Sequence, residues 1–109
     1  MSIYCTYITI YKGNDLPLFY IGSSSVKKVK EGYKGSVSSA EYKEKWKHHI
    51  KNNPDLFNTK ILTKHKTRKQ ASIREAEIQE KLNVVENPLY LNKTIIHEKF
   101  VNKPGLFLI

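Results

Sequence analysis

Three side chains in the 109-residue chain are of types and at positions that could do chemistry: Tyr7, Tyr20 and Glu75. Tyr7 falls in "YCTYITIY" and Tyr20 in "FYIGSSS". A phenol has a pKa near 10, so it takes a proton from water only if nearby cations lower that value far. Tyrosines that share a sheet face are also ordinary cross-strand packing. Glu75 lies in "RKQASIREAEIQEKL". At the helical period Ala71, Glu75, Ile78 and Leu82 form one stripe, with Glu77 and Glu80 off it. A carboxylate on an inward stripe is unfavourable unless a cation, a metal or a hydrogen bond satisfies it. Glu75 therefore reads either as a metal ligand at the edge of the core or as half of an ion pair with a lysine.

The elements that would position these groups follow from local pattern. Residues 3–11 alternate as a strand, with Ile8 and Ile10 on one side and Cys5, Tyr7, Thr9 and Tyr11 on the other. "KGND" (12–15) is a turn, and residues 18–22 form the second strand of an antiparallel hairpin. That hairpin places Tyr7 and Tyr20 on the same face, opposite Ile8, Ile10, Phe19 and Ile21. Residues 23–37 read as an irregular basic loop. Ser38 and Glu41 make a capping box for a helix to about Ile50, with Tyr42, Trp46, His49 and Ile50 on one stripe. "LFNTKIL" (56–62) is a third strand. Thr67 and Gln70 cap a second helix to about Leu82. Asn87-Pro88 marks a turn, and the remainder to Ile109 has a mixed pattern. The predicted fold is α/β in the broad sense (α+β): a small, mostly antiparallel three-stranded sheet flanked by helices, forming a single domain over 1–109.

Nineteen basic residues against ten acidic ones give a net charge of +9, and lysine supplies nearly all of it, since only Arg68 and Arg74 are arginines. That excess favours a polyanionic partner, nucleic acid before acidic lipid. The loop lysines Lys27, Lys28, Lys30 and Lys34, with Tyr33, and the helix residue Lys47 read either as DNA-backbone contacts or as a solvated charged surface. No apolar run is long enough for a membrane span, and the N-terminus does not read as a signal peptide. The single Cys5 excludes an internal disulfide framework and a cysteine-based zinc site, so a cytoplasmic setting is expected. His65 and His97 fit no ligand spacing.

Tyr7, then "YIGSS" from Tyr20, then a basic helix, Glu75 and Asn92 together resemble the GIY-YIG nuclease family. The resemblance spans roughly residues 5–92. "GYKGSVSSAEYKEKWK" and "LNVVENPLYLN" look most like its small bacteriophage, homing-endonuclease-like members. It implies a divalent-metal-dependent endonuclease that hydrolyses DNA phosphodiesters. Tyr7 would be the general base or would orient the water, and Tyr20 would hold the phosphate or the water. Glu75 would bind Mg2+ (or Mn2+), and Asn92 would close the site. No small-molecule cofactor is implied. In such proteins the second strand ends at Tyr-Ile-Gly, and the glycine lets the chain turn away beside DNA.

The chain departs from the family pattern at three places, one being a slightly longer loop between the two tyrosines. The first motif is Cys5-Thr6-Tyr7 rather than Gly-Ile-Tyr. The family arginine on the helix after the YIG strand is missing, and Lys45 or Lys34 would take its place. Lysine keeps the charge but loses the bidentate fork. Of His48 and His49, His49 is the expected aid to proton transfer. With no room for a separate DNA-reading domain, specificity would come from loose sequence reading, from DNA structure, or from a partner protein or transient dimer. The alternatives are a catalytically weak or inactive DNA-binding domain of the same fold, or a phage factor that binds a host protein.

Overall fold

The alternating segment "YCTYITIY" becomes the central strand of a three-stranded sheet. In the computed structural model, which describes residues 2–93, β1 (Tyr4–Tyr11) lies between β2 (Phe19–Ser25) and β3 (Phe57–His65). Both pairings are antiparallel. A strand covered on both faces must satisfy its polar side chains internally. Thr6 and Thr9 are buried, and their hydroxyls meet Thr63 at 2.6 Å and Thr59 at 2.9 Å across the β1–β3 pair.

Register sorts the side chains as the sequence predicts. Ile8 lies opposite Ile21, Tyr7 opposite Gly22 and Thr9 opposite Tyr20. Tyr7 and Tyr20 therefore share one face, on a diagonal. That face carries Tyr11, Leu16, Val37, Trp46, Phe57 and Leu91 as its core. The other face buries Ile21, Val84 and Tyr90, with Ile8, Phe19 and Ile78 packed against them. The β1–β3 register shifts between Thr6 and Tyr7. A bulge there re-aims the side chains on either side of it.

The helices differ from expectation at their starts. β2 does not end at Gly22 but continues to Ser25, and Ser25 caps a short helix, α1 (Val26–Lys30), inside the stretch read as a loop. Its hydroxyl accepts from the Lys28 N–H at 3.1 Å. The proposed Ser38–Glu41 capping box does not form. α2 spans Lys43–Asn52 with Tyr42 at its N-cap and no side-chain cap, while Ser39 accepts from the Tyr42 N–H at 3.3 Å in the preceding turn. β3 runs three residues further than its alternating pattern indicated, because Thr63 and His65 continue the pairing with Thr6 and Tyr4. α3 (Arg68–Lys81) opens with the expected Thr67–Gln70 capping box.

The inward face of α3 is Ala71, Ser72, Glu75, Ala76 and Gln79, whereas Leu82 is 39% exposed. The buried stripe is thus rotated toward small and polar residues. Asn87 makes the predicted turn, its side chain accepting from the Leu89 N–H at 3.0 Å. Among the described residues no helix is long and apolar enough to cross a membrane. His97 and the mixed remainder of the chain from 94 to Ile109 lie outside the described residues.

Candidate active site

Tyr7 and Tyr20 lie side by side at the β2 edge of the sheet, and the charge of Glu75 acts on both. Gly22 makes this possible by having no side chain. A Cβ there would fall on the hydroxyl end of the Tyr7 ring, so the glycine gives that ring room to lie over β2. The role differs from the expected one. Gly22 does not turn the chain, because the strand passes straight through it. The Tyr7 and Tyr20 ring centroids are 6.3 Å apart.

Glu75 arrives from α3, which packs against the Ile21 face. Glu75 is 5% exposed, and its carboxylate accepts a hydrogen bond on each oxygen. Ser23 donates to Oε1 at 2.5 Å and Gln79 Nε2 donates to Oε2 at 2.8 Å. Both Ser23 and Gln79 are edge-strand or next-turn neighbours that orient the group. The carboxylate charge raises the pKa of Tyr7 and of Tyr20, so all three groups share one electrostatic field.

Both phenols are pushed well above the usual tyrosine value, chiefly by burial. For Tyr7 the neighbouring Tyr20 and Tyr33 phenols and the Glu75 carboxylate add to that shift, together with a hydrogen bond to Tyr33. For Tyr20 the Glu75 charge is the next contribution. The cation-lowered phenol that base catalysis needs is not the state this environment favours. Both hydroxyls are neutral donors at neutral pH.

Asn92 is buried and works on the backbone of β2. Its Oδ1 accepts from the Ile21 N–H at 2.9 Å, and its Nδ2 donates to the Ile21 carbonyl at 2.8 Å. Gln79 Nε2 lies 3.3 Å from the same carbonyl. Asn92 thus substitutes for a neighbouring strand and fixes β2 beside Gly22. It is a positioning residue.

Lys45 and His49, expected beside the tyrosines, lie elsewhere. α2 starts at Lys43 and lays Trp46 against Tyr20 and Phe57, which carries His49 toward Tyr11. His49 Nε2 meets Asp15 at 2.8 Å and Tyr11 donates to the same carboxylate at 2.5 Å. The Tyr11 and His49 contacts hold the Asp15 carboxyl below its ordinary range, with a smaller contribution from the Lys45 charge. Tyr11 is four residues from Tyr7, roughly 13 Å along the strand. These residues form a second cluster, which ties the β1–β2 loop to α2.

The helix that follows β2 is α1, so the lysines on the first helix after that strand are Lys27, Lys28 and Lys30, all exposed. Lys28 is the one linked to the tyrosines: its ammonium lies 5.8 Å from the centre of the Tyr33 ring. Lys34 turns its ammonium back to the Gly32 carbonyl at 2.9 Å. Its own carbonyl accepts from Thr9 at 2.6 Å. Lys47 sits on the exposed side of α2.

Tyr33 is the site residue that the sequence reading undervalued. Its ring stands edge-on to Tyr7 with centroids 6.1 Å apart, and its hydroxyl meets Ser36 at 2.7 Å. Tyr20 donates to the Ser36 carbonyl at 3.1 Å. The segment 33–36 therefore crosses directly over the phenols, leaving Tyr7 1% exposed. Gly35, at φ +113, has no room for a Cβ against Tyr20. The signal for this crossing is present in "GYKG", where glycines bracket an aromatic and a basic residue.

Among the described residues no group of three or more His, Cys, Asp or Glu side chains is placed to hold a metal ion. Among the described residues Glu75 is the carboxylate whose charge acts on both phenols. A carboxylate fits a hard cation that retains water and takes its other ligands from a phosphate, as magnesium does. No protein-family model, no curated protein and no solved structure matches the chain.

Proposed function

We propose that the chain is an endonuclease that hydrolyses DNA phosphodiester bonds with a divalent cation held at Glu75. What supports this reading is the Tyr7–Tyr20 pair packed over the side-chain-free Gly22, with the Glu75 carboxylate close enough for its charge to raise both phenols. A magnesium or manganese ion at Glu75 would supply positive charge for the leaving oxygen. Tyr7, kept neutral by burial, would donate a hydrogen bond to orient a phosphate or an attacking water. Tyr20 would bind the same phosphate once it leaves the Ser36 carbonyl. Lys28 would approach that phosphate from α1, in place of either lysine that the sequence favoured. Ser23 and Gln79 aim the carboxylate, and Asn92 holds β2 straight. Entry of a strand requires segment 33–36 to lift from the phenols. A cytoplasmic location agrees with this role and with the buried free thiol of Cys5.

A second reading is a DNA-binding domain of the same architecture without activity. The neutral, covered phenols favour it. Plasmid nicking in magnesium separates the two. The nuclease reading expects nicking by the wild type, lost in chelator and reduced about 100-fold or more in Glu75→Ala and Tyr7→Phe. Nicking that survives both substitutions would refute the site. A gel shift without any nicking would establish the binder instead.

A further inference from the structure

We propose that the small apolar pocket between segment 35–37 and α2 binds one unstacked nucleobase of a DNA strand, with Lys47 and Lys51 on the phosphates that flank it. The inference rests on the DNA reading above and names the substrate class: DNA with a single-stranded or splayed portion at the cut.

The pocket measures about 240 Å³, with Val37, Trp46 and Ile50 as its apolar lining, Ser36 as one wall and Lys47 and Lys51 at its rim. It is smaller than the roughly 300–1,000 Å³ of sites for drug-sized ligands, so it suits a single ring system. Ser36, Lys47 and Lys51 are exposed, which leaves the mouth open to solvent. Lys47 and Lys51 are one helical turn apart and share a side of α2, about 6 Å between their Cβ atoms.

The chemistry of the rim and the floor has to be read together. Two ammonium groups alone would attract any polyanion. An apolar floor adds nothing to the binding of a bare phosphate. It also adds nothing for intact duplex, whose bases are stacked inside. Cationic rim and apolar floor together match a nucleotide whose base has left the stack, the arrangement by which single strands are usually held.

The pocket also lies where such a nucleotide would arrive. The Ser36 carbonyl that accepts the Tyr20 hydroxyl belongs to the pocket wall, and the Gly35 carbonyl beside it accepts the Trp46 indole N–H at 3.2 Å. One thickness of peptide separates the pocket from the phenols. A strand with one phosphate over Tyr20 would bring a neighbouring base to the mouth of the pocket.

Trp46 is the single tryptophan of the chain, so its fluorescence reports this pocket directly. The test titrates a single-stranded oligothymidylate of about ten nucleotides into the full chain at low salt. Chelator is present throughout, so that cleavage plays no part. A saturable change in Trp46 emission is expected, larger and at lower concentration than with duplex of the same length. In the Lys47→Ala/Lys51→Ala variant the affinity should fall about threefold per lysine, and the slope of log affinity against log salt should shrink by about 0.7 per lysine. Both side chains are exposed, and an unchanged thermal transition would show that the variant is folded. Strand binding with unchanged emission, equal response to duplex, an unaltered salt slope in the variant, or the same response to poly-glutamate would each overturn the inference. Failure of the nuclease reading looks different: a protein that passes this test but never nicks plasmid keeps the pocket and loses the activity.

Discussion

Gly22→Ala is the sharpest probe of the site, because it tests the placement of Tyr7 without removing a functional group. The added methyl would land on the Tyr7 ring, closest to Oη and then Cζ. The backbone cannot yield easily. Gly22 is paired with Tyr7 in the sheet, and Asn92 grips Ile21 from the other side. The ring must therefore move. Forcing a methyl into a packed site typically destabilises by about 1–3 kcal/mol. At about 2 kcal/mol the transition of a domain this size should fall by about 8–16 °C.

The hydroxyl is the nearest atom, so Tyr7→Phe should relieve part of the clash. Tyr7→Phe alone removes the hydrogen bond to Tyr33, a loss of about 1 kcal/mol. The double variant should then be less destabilised than the sum of the two singles. The assay is denaturant unfolding of wild type, both singles and the double, analysed as a cycle. Because Cζ is also close, the relief is partial, about 0.5–1 kcal/mol of coupling. Effects that add to within about 0.3 kcal/mol would show that the phenol does not lie over Gly22, and the proposed site would lose its geometry.

Two further outcomes follow from charge. Tyr7 and Tyr20 have raised folded-state pKa values, so their contribution to stability is complete below about pH 10 and is lost as pH climbs from there toward the folded values. Phenolate absorbance should accordingly show these two tyrosines silent through pH 10 in the native protein and titrating only with alkaline unfolding; two phenols that ionise near neutral pH would contradict the buried arrangement. Among the lysines, Lys28→Ala should depress plasmid nicking at least tenfold, about 1.4 kcal/mol, whereas Lys45→Ala, beside Asp15, should leave it near wild type, and the reverse ranking would restore the α2 lysine as the phosphate clamp.

The strands and the pairing of Tyr7 with Tyr20 on one face were legible because an alternating pattern allows only one set of inward residues. The capping box of α3 was legible because it is local, Thr67 bonding three residues along. α1 was not, since "VKKVK" is too short to show a period and its cap, Ser25, looks like the middle of a serine run. The capping box read at Ser38 failed although its spacing is ideal, because helix start is decided by where Trp46 finds its core, against Tyr20 and Phe57. His49 and Lys45 moved with that start. Glu75 was found from its inward spacing, yet its holders, Ser23 and Gln79, were not. Ser23 is 52 positions away in the chain, and nothing local marks it. Tyr33 was visible only as a loop aromatic, since the crossing that brings it over Tyr7 depends on the left-handed turns at Gly32 and Gly35.

The raised phenols bear on which residue would set the chemistry. A phosphodiester bound at Tyr20 brings one negative charge, and Glu75 brings another. A magnesium ion at Glu75 would bring two positive charges, so those three groups sum to zero. The phenols would then keep the values that burial gives them, above 10. Any net positive field would have to come from a lysine. A unit charge about 4 Å away at an effective dielectric near 20 is worth about 4 kcal/mol, or about 3 pKa units. Lys28, already 5.8 Å from the Tyr33 ring centre, is the cation best placed to move that far when segment 33–36 lifts. If it does, a lysine on α1 would decide whether Tyr7 acts as a base or only as a donor. The pH dependence of nicking in Lys28→Ala separates these cases: loss of an alkaline limb assigns the base role to the Lys28-lowered phenol, and a uniform drop at every pH leaves Tyr7 as a donor.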